Sequence, residues 1–366
     1  MRRMQLVATA FVLAGMSLAL NANAVLAADA PRFEVDPFWP KTLPNNWIIG
    51  QVGGIYVDSR EHVWINHRPR TLEERELRAS TAPNVECCFA APEIIEFDQE
   101  GNVLQAWRGP GEGYDWPENE HGIFVDHNDF VWVGGNGAND GVVLKFTRDG
   151  EFVLQIGHQG PQTGSLDTTR LGRPSDMIVD PATNELYVSD GYNNHRVIVF
   201  DAESGEFKRM WGAYGNPPTD FDMPPFDHNA PLPQQFTNPV HCIRMSNDGL
   251  VFTCDRGHNR LQVFNKDGSF VREYFIQPET RAATTGSVMF WPKNEQTLLF
   301  TSDDSNGKIR ITRRSDGVEI GSFGRFGNAT GEFNNLHNLG IDSQGNIYAA
   351  EVQGKRVQKF VYQGDL

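Results

Sequence analysis

One sentence of four short apolar segments is restated along this chain, and that repetition restricts its fold more than any other feature. The clearest copy runs Met177-Ile178-Val179-Asp180, Glu185-Leu186-Tyr187-Val188-Ser189-Asp190, Arg196-Val197-Ile198-Val199-Phe200, and Gly205-Glu206-Phe207 on to Trp211-Gly212. Each segment alternates apolar and polar residues, is rich in β-branched and aromatic side chains, and is bounded by Gly, Asn, Asp or Pro. That pattern predicts four antiparallel strands joined by turns. Six copies align, starting near Ile55, Ile123, Met177, Ile243, Val288 and Leu339. Four-stranded units repeated every ~40–60 residues predict an all-β, six-bladed β-propeller. The last copy lacks a good fourth strand, and Arg32-Phe33-Glu34-Val35 is expected to supply it and close the ring. Closure also removes the exposed edges that invite aggregation.

The first 28 residues stand apart from this pattern. Arg2 and Arg3 precede an apolar run, Leu6–Leu20, and small-residue sites follow at Ala22-Asn23-Ala24 and Val25-Leu26-Ala27. This is the layout of a signal peptide, so residues 1–28 are expected to be removed, leaving one propeller domain over 29–366 in the periplasm or outside the cell. Formal charge is −15, and losing the two arginines gives 30 − 47 = −17. Such an acidic chain is a poor partner for nucleic acid or an anionic membrane. No later stretch approaches a transmembrane length, so no stable membrane insertion is expected after cleavage.

What changes between copies is more informative than what repeats. Asp190, Asp255 and Asp303 end second strands, and Arg196, Arg260 and Arg356 start third strands, as expected of turn-bracing charge pairs that belong to the scaffold. The position five residues before the end of each first strand reads instead Gly53, His121, Ser175, His241, Ser287 and His337. Alternate blades of a closed six-fold ring lie about 120° apart. First strands line the channel, so the three imidazoles are expected to converge at one mouth. Three neutral His nitrogens plus an open position is the layout of a catalytic zinc site. The other seven histidines lack the pattern. His62, His127 and His228 read as turn or loop residues, and His195 and His258 fall between strands two and three.

The residues Gln235-Phe236-Thr237-Asn238-Pro239-Val240-His241, Cys254-Asp255-Arg256 and Asn259-Arg260-Leu261-Gln262-Val263-Phe264 resemble the NHL-repeat propeller of peptidyl-α-hydroxyglycine α-amidating lyase. So do Val188-Ser189-Asp190-Gly191-Tyr192-Asn193, Phe333-Asn334-Asn335-Leu336-His337, and Gln51-Val52-Gly53-Gly54-Ile55 with His67-Arg68. The resemblance spans roughly residues 50–360. It implies that His121, His241 and His337 are zinc ligands, that Tyr192 is the catalytic tyrosine, and that Arg68 pairs with substrate and tyrosine. It also implies a structural calcium on the Ile55 and Ile123 carbonyls. Such enzymes split a carbinolamide into a peptide amide and glyoxylate. The substrate is then expected to be a small molecule or peptide with an α-hydroxyglycine-like end.

The chain departs from that family in three places. Asn338 stands where the family places an acidic calcium ligand. Gly172 and Asn193 stand where the animal enzyme has a cysteine pair. Cys242 and Cys254 are expected on neighbouring strands as a disulfide, whereas Cys87 and Cys88 have either each other or a distant partner. Arg70–Ala91 is a charged insertion near the mouth, and no segment resembles the family's copper monooxygenase. NHL repeats also occur in proteins that only bind, so an exported propeller holding a peptide, glycan or protein partner is the alternative. A lactonase-type propeller, with a carboxylate-rich calcium site, is a third reading.

Overall fold

The computed structural model describes residues 30–82, 84–221 and 226–364. The leader-like segment 1–28 lies outside the described residues. Six four-stranded antiparallel sheets form the blades of a β-propeller. Their innermost strands are Gln51–Val57, Glu120–Val125, Pro174–Asp180, Val240–Met245, Val288–Phe290 and Leu336–Ile341, for blades one to six. Phe33–Asp36 pairs antiparallel with Arg356–Tyr362 and completes blade six, so the two ends of the chain share one sheet. The closing strand also packs inward: the Phe33 ring sits 5.0 Å from Phe323 and 5.8 Å from Phe300.

Core side chains sit between blades. Trp64, Trp132, Tyr187 and Tyr348 come from second strands and are fully buried. Their polar atoms need partners: acids just past the first strands serve three of them, and the Tyr187 hydroxyl donates to Glu185 Oε2 of its own strand at 3.1 Å. Asp58 accepts from Trp64 Nε1 at 3.0 Å, Asp126 from Trp132 Nε1 at 2.8 Å, and Asp342 from the Tyr348 hydroxyl at 3.2 Å. The repeated acid–arginine pairs brace the next turn, with Asp190–Arg196 at 2.9 Å and Asp255–Arg260 at 2.8 Å. In the last two blades the partners shift to Asp303–Arg310 and Glu351–Arg356.

A recurrent irregularity sets up the channel. In five of the six first strands the pairing slips at the aligned position, jumping Val52/Gly54, Glu120/Ile123, Pro174/Asp176, Val240/Cys242 and Leu336/Asn338. A bulge leaves one residue unpaired and re-aims its side chain. The skipped residues include Gly53, His121, Ser175, His241 and His337. Cys242 and Cys254 face each other across blade four and are bonded, and Cys87 is bonded to Cys88. No helix among the described residues is long and apolar enough to cross a membrane.

Candidate metal centre

His121, His241 and His337 are buried, and their ligand nitrogens all lie within 4.8 Å of one another. Each Nδ1 points at a backbone carbonyl of the following blade: His121 at Ser175 O (2.6 Å), His241 at Gly286 O (2.5 Å) and His337 at Gly53 O (2.8 Å). A carbonyl only accepts, so each Nδ1 must carry the hydrogen. Burial is the first reason all three rings are held well below the usual histidine pKa. Nearby guanidinium groups push the same way: Arg68 on His121, Arg256 on His241, and both on His337. The rings are therefore neutral, and each offers a bare Nε2 lone pair.

Those lone pairs converge. His241 Nε2 stands 3.1 Å from His337 Nε2. With hydrogens on both Nδ1 atoms no proton lies between them, so two acceptors confront each other and repel. A cation among them replaces that repulsion with attraction. Two nitrogens bound tetrahedrally to zinc at 2.0–2.1 Å stand roughly 3.3 Å apart, close to what is seen. The donor set fits a divalent metal on chemistry and spacing.

The intervening blades act as outer supports. Besides supplying the three carbonyls, they donate to the backbone around the next histidine. Asn66 Nδ2 reaches His121 O at 3.4 Å and Gly122 O at 3.0 Å. Ser175 Oγ reaches Val240 O at 2.5 Å, and Ser302 Oγ reaches His337 O at 2.9 Å. Such partners fix ring orientation and tautomer. Blade one carries Gly at the aligned position because the chain approaches too closely for more: a Cβ on Gly53 would sit 2.3 Å from Glu120 O.

Tyr192 completes the cluster. Its hydroxyl lies 3.0 Å from His121 Nε2 and 3.1 Å from His241 Nε2. The loop after Asp190 carries it inward, with its backbone N donating to Arg173 O at 3.2 Å. Arg68 ends the second strand of blade one and is buried; its Nε donates to Glu120 O at 2.8 Å and its Nη1 to Gln51 Oε1 at 3.2 Å. Burial pulls its pKa down. Two arginines the sequence reading passed over flank the ring, Arg256 with Cζ 5.5 Å and Arg173 with Cζ 5.7 Å from its centre. Arg256 had a visible signal, since it follows Asp255 in the same loop that Tyr192 follows Asp190.

The other expected residues fall into place with different degrees of connection. Ile55 and Ile123 are buried in paired strand, and Asn338 Nδ2 donates to Gly53 O at 2.9 Å. Gly172 and Asn193 sit side by side without a disulfide, joined by Asn193 N donating to Gly172 O at 3.0 Å. The charged insertion is tied to both neighbouring blades, through Arg70–Glu120 at 3.2 Å and Glu76–Lys355 at 2.7 Å.

Comparison with known proteins points to the same fold. Residues 171–200 match the NHL repeat model. Peptidyl-glycine alpha-amidating monooxygenase B of Xenopus laevis is 24% identical over 90% of this chain, which spans 35% of that protein's length. A probable peptidyl-alpha-hydroxyglycine alpha-amidating lyase of Caenorhabditis elegans is 23% identical over 84% of this chain and 82% of its own. This chain is a six-bladed propeller that carries an NHL repeat and resembles the amidating lyases. NHL repeat-containing protein 3 of Mus musculus, 25% identical over 90% of this chain and 84% of its own, is similar to the same NHL-repeat propeller. A solved streptogramin B lyase matches 90% of this chain and 98% of its own with a TM-score of 0.53 at 15% identity, a likeness of fold alone.

Proposed function

We propose that this chain is an exported, zinc-dependent lyase cleaving α-hydroxyglycine-type carbinolamides into an amide and glyoxylate. The observation that carries the reading is the meeting of three Nε2 lone pairs and the Tyr192 hydroxyl at a mouth bordered by guanidinium groups. The names of the Xenopus and Caenorhabditis relatives support it, and the leader-like segment supports export to the periplasm or beyond.

His121, His241 and His337 would hold the zinc, which supplies Lewis acidity toward substrate oxygens. The chain's own residues account for the remaining chemistry. Arg68 and Arg256 stay cationic and suit the carboxylate at the end of the substrate. An ordinary phenol has a pKa of about 10 and serves as a base where cations hold the phenolate; the arginines around Tyr192 are placed to do so. The Tyr192 oxygen takes the carbinol proton as the C–N bond breaks. The O–H electron pair becomes the second C–O bond of glyoxylate, and the C–N pair leaves on the amide nitrogen. Returning the proton to that nitrogen completes the amide, so atoms and charge balance without an oxidant or water.

The test is release of glyoxylate from an α-hydroxyhippurate-type substrate by zinc-loaded protein. Peptidyl, N-acyl and ureido carbinolamides are then compared. Tyr192→Phe should keep the metal and lose turnover. Protein that holds stoichiometric zinc yet releases no glyoxylate from any of these substrates would sink the lyase reading and leave the binding module.

A further inference from the structure

The calcium implied by the family resemblance does not fit this channel. Calcium takes six to eight oxygens and draws its affinity from carboxylates. The residue after each aligned channel position reads Gly54, Gly122, Asp176, Cys242, Val288 and Asn338 around the ring. Only Asp176 carries charge, and it is already engaged. Arg244, two residues further along the first strand of blade four, pairs through Nη1 with Asp176 Oδ2, and Ile243 N adds a bond to the same oxygen at 3.3 Å. Both side chains are nearly inaccessible, at 7% and 4% exposure. Arg244 Nη1 also donates to Ile243 O at 2.6 Å. Burial raises the phenol of Tyr56 on blade one, beside Ile55, to about 12, with Arg244 acting against it. Beyond the pair, away from the histidines, a cavity of about 750 Å³ opens between Tyr56, Phe124, Ile178, Met289 and Ile341.

We propose that the Arg244 guanidinium is the resident cation of the channel below the histidines, and that this chain binds no calcium there. The charge count supports this. Where the family adds an acid and a divalent ion, this chain has neutral Asn338 and a covalently supplied cation opposite its one acid. Asn338 Oδ1 and Asn66 Oδ1 are buried without a partner among the described residues. Each is a neutral acceptor that a water can satisfy, bringing the proton it lacks. The proposal is independent of the lyase reading and of whether the histidines hold zinc.

The experiment uses the full exported chain, zinc-loaded and then dialysed against calcium-free buffer. Elemental analysis should find no calcium, and adding millimolar calcium should leave the melting temperature unchanged. One bound calcium per chain with a melting temperature several degrees higher would overturn the proposal. The double variant Arg244→Ala, Asn338→Asp supplies the converse. Two carboxylates without a cation should bind one calcium and melt on the order of 10 °C higher with it than without. A folded double variant indifferent to calcium would show that Arg244 does not stand in the cation position. If the variant does not fold, the measurement on the unmodified chain decides.

Discussion

His121, His241 and His337 at the channel mouth, and Asp58, His62 and Glu96 in blade one, each bring three ligand atoms within 4.8 Å of one another. In the second group the centre is already filled. Arg148, reaching over from blade two, places Nη2 2.7 Å from Asp58 Oδ2 and 3.1 Å from His62 Nδ1, and it pairs with Glu96. His62 Nδ1 is spent on Glu96 Oε1 at 2.6 Å. In the first group every Nδ1 is occupied by a carbonyl, and the unprotonated Nε2 atoms face one another and the Tyr192 hydroxyl, with no side-chain cation of the described residues among them. Proximity of donors therefore does not distinguish a metal centre from a charge network. What distinguishes them is whether the protein has furnished its own cation.

The difference can be broken from either side. His241→Ala should reduce bound zinc and glyoxylate release to background, while His62→Ala leaves both unchanged; equal losses would erase the contrast. Arg148→Ala leaves two buried carboxylates without their cation, which should cost about 3 kcal/mol, measured as a urea-denaturation midpoint. The same variant should now be stabilised by added zinc, as the unmodified chain is not at that site. Ser302→Ala removes one outer support of His337, and weakens zinc binding ~10–100-fold in competition with a chelator.

The smallest effect is in pH dependence, where the two groups separate by window. Below about pH 6.5 the unfolded imidazoles take up protons that the folded trio refuses, so unfolding gains protons and metal-free stability drops as the pH is lowered. His67, pushed down to about 4 by burial, acts with the same sign. Asp58 behaves differently. Against its burial, hydrogen bonds from His62 N, Trp64 and Arg148 hold it below its ordinary 3.8, so its contribution persists above that value and is lost only as pH falls further. Metal-free denaturation midpoints that stay flat from neutral pH to about 5 would contradict the neutral, buried trio.

Much of this was legible in the chain. Period-two segments between turn residues gave six blades, and the missing last strand pointed to closure from the N-terminal side, found at Phe33–Asp36. Counting back from strand ends picked out the three histidines, since alternation by blade survives in one dimension. Arg256 and Arg173 were passed over because loop arginines are common, and nothing linear says which one lies against a tyrosine ring. Arg244 was hidden in a first strand, where its residue type breaks the apolar pattern but names no partner.

The sequence by itself determined the ring, its six-fold count and which blades bear imidazole, because those follow from local periodicity. Only the tertiary structure decided where the protons sit and where the cations belong. The bulge that turns each histidine inward lies within its own sheet, but the carbonyl that fixes its tautomer and the guanidinium that fills the acidic cluster come from the neighbouring blade. Contacts between blades join residues dozens of positions apart, and no short-range pattern encodes them.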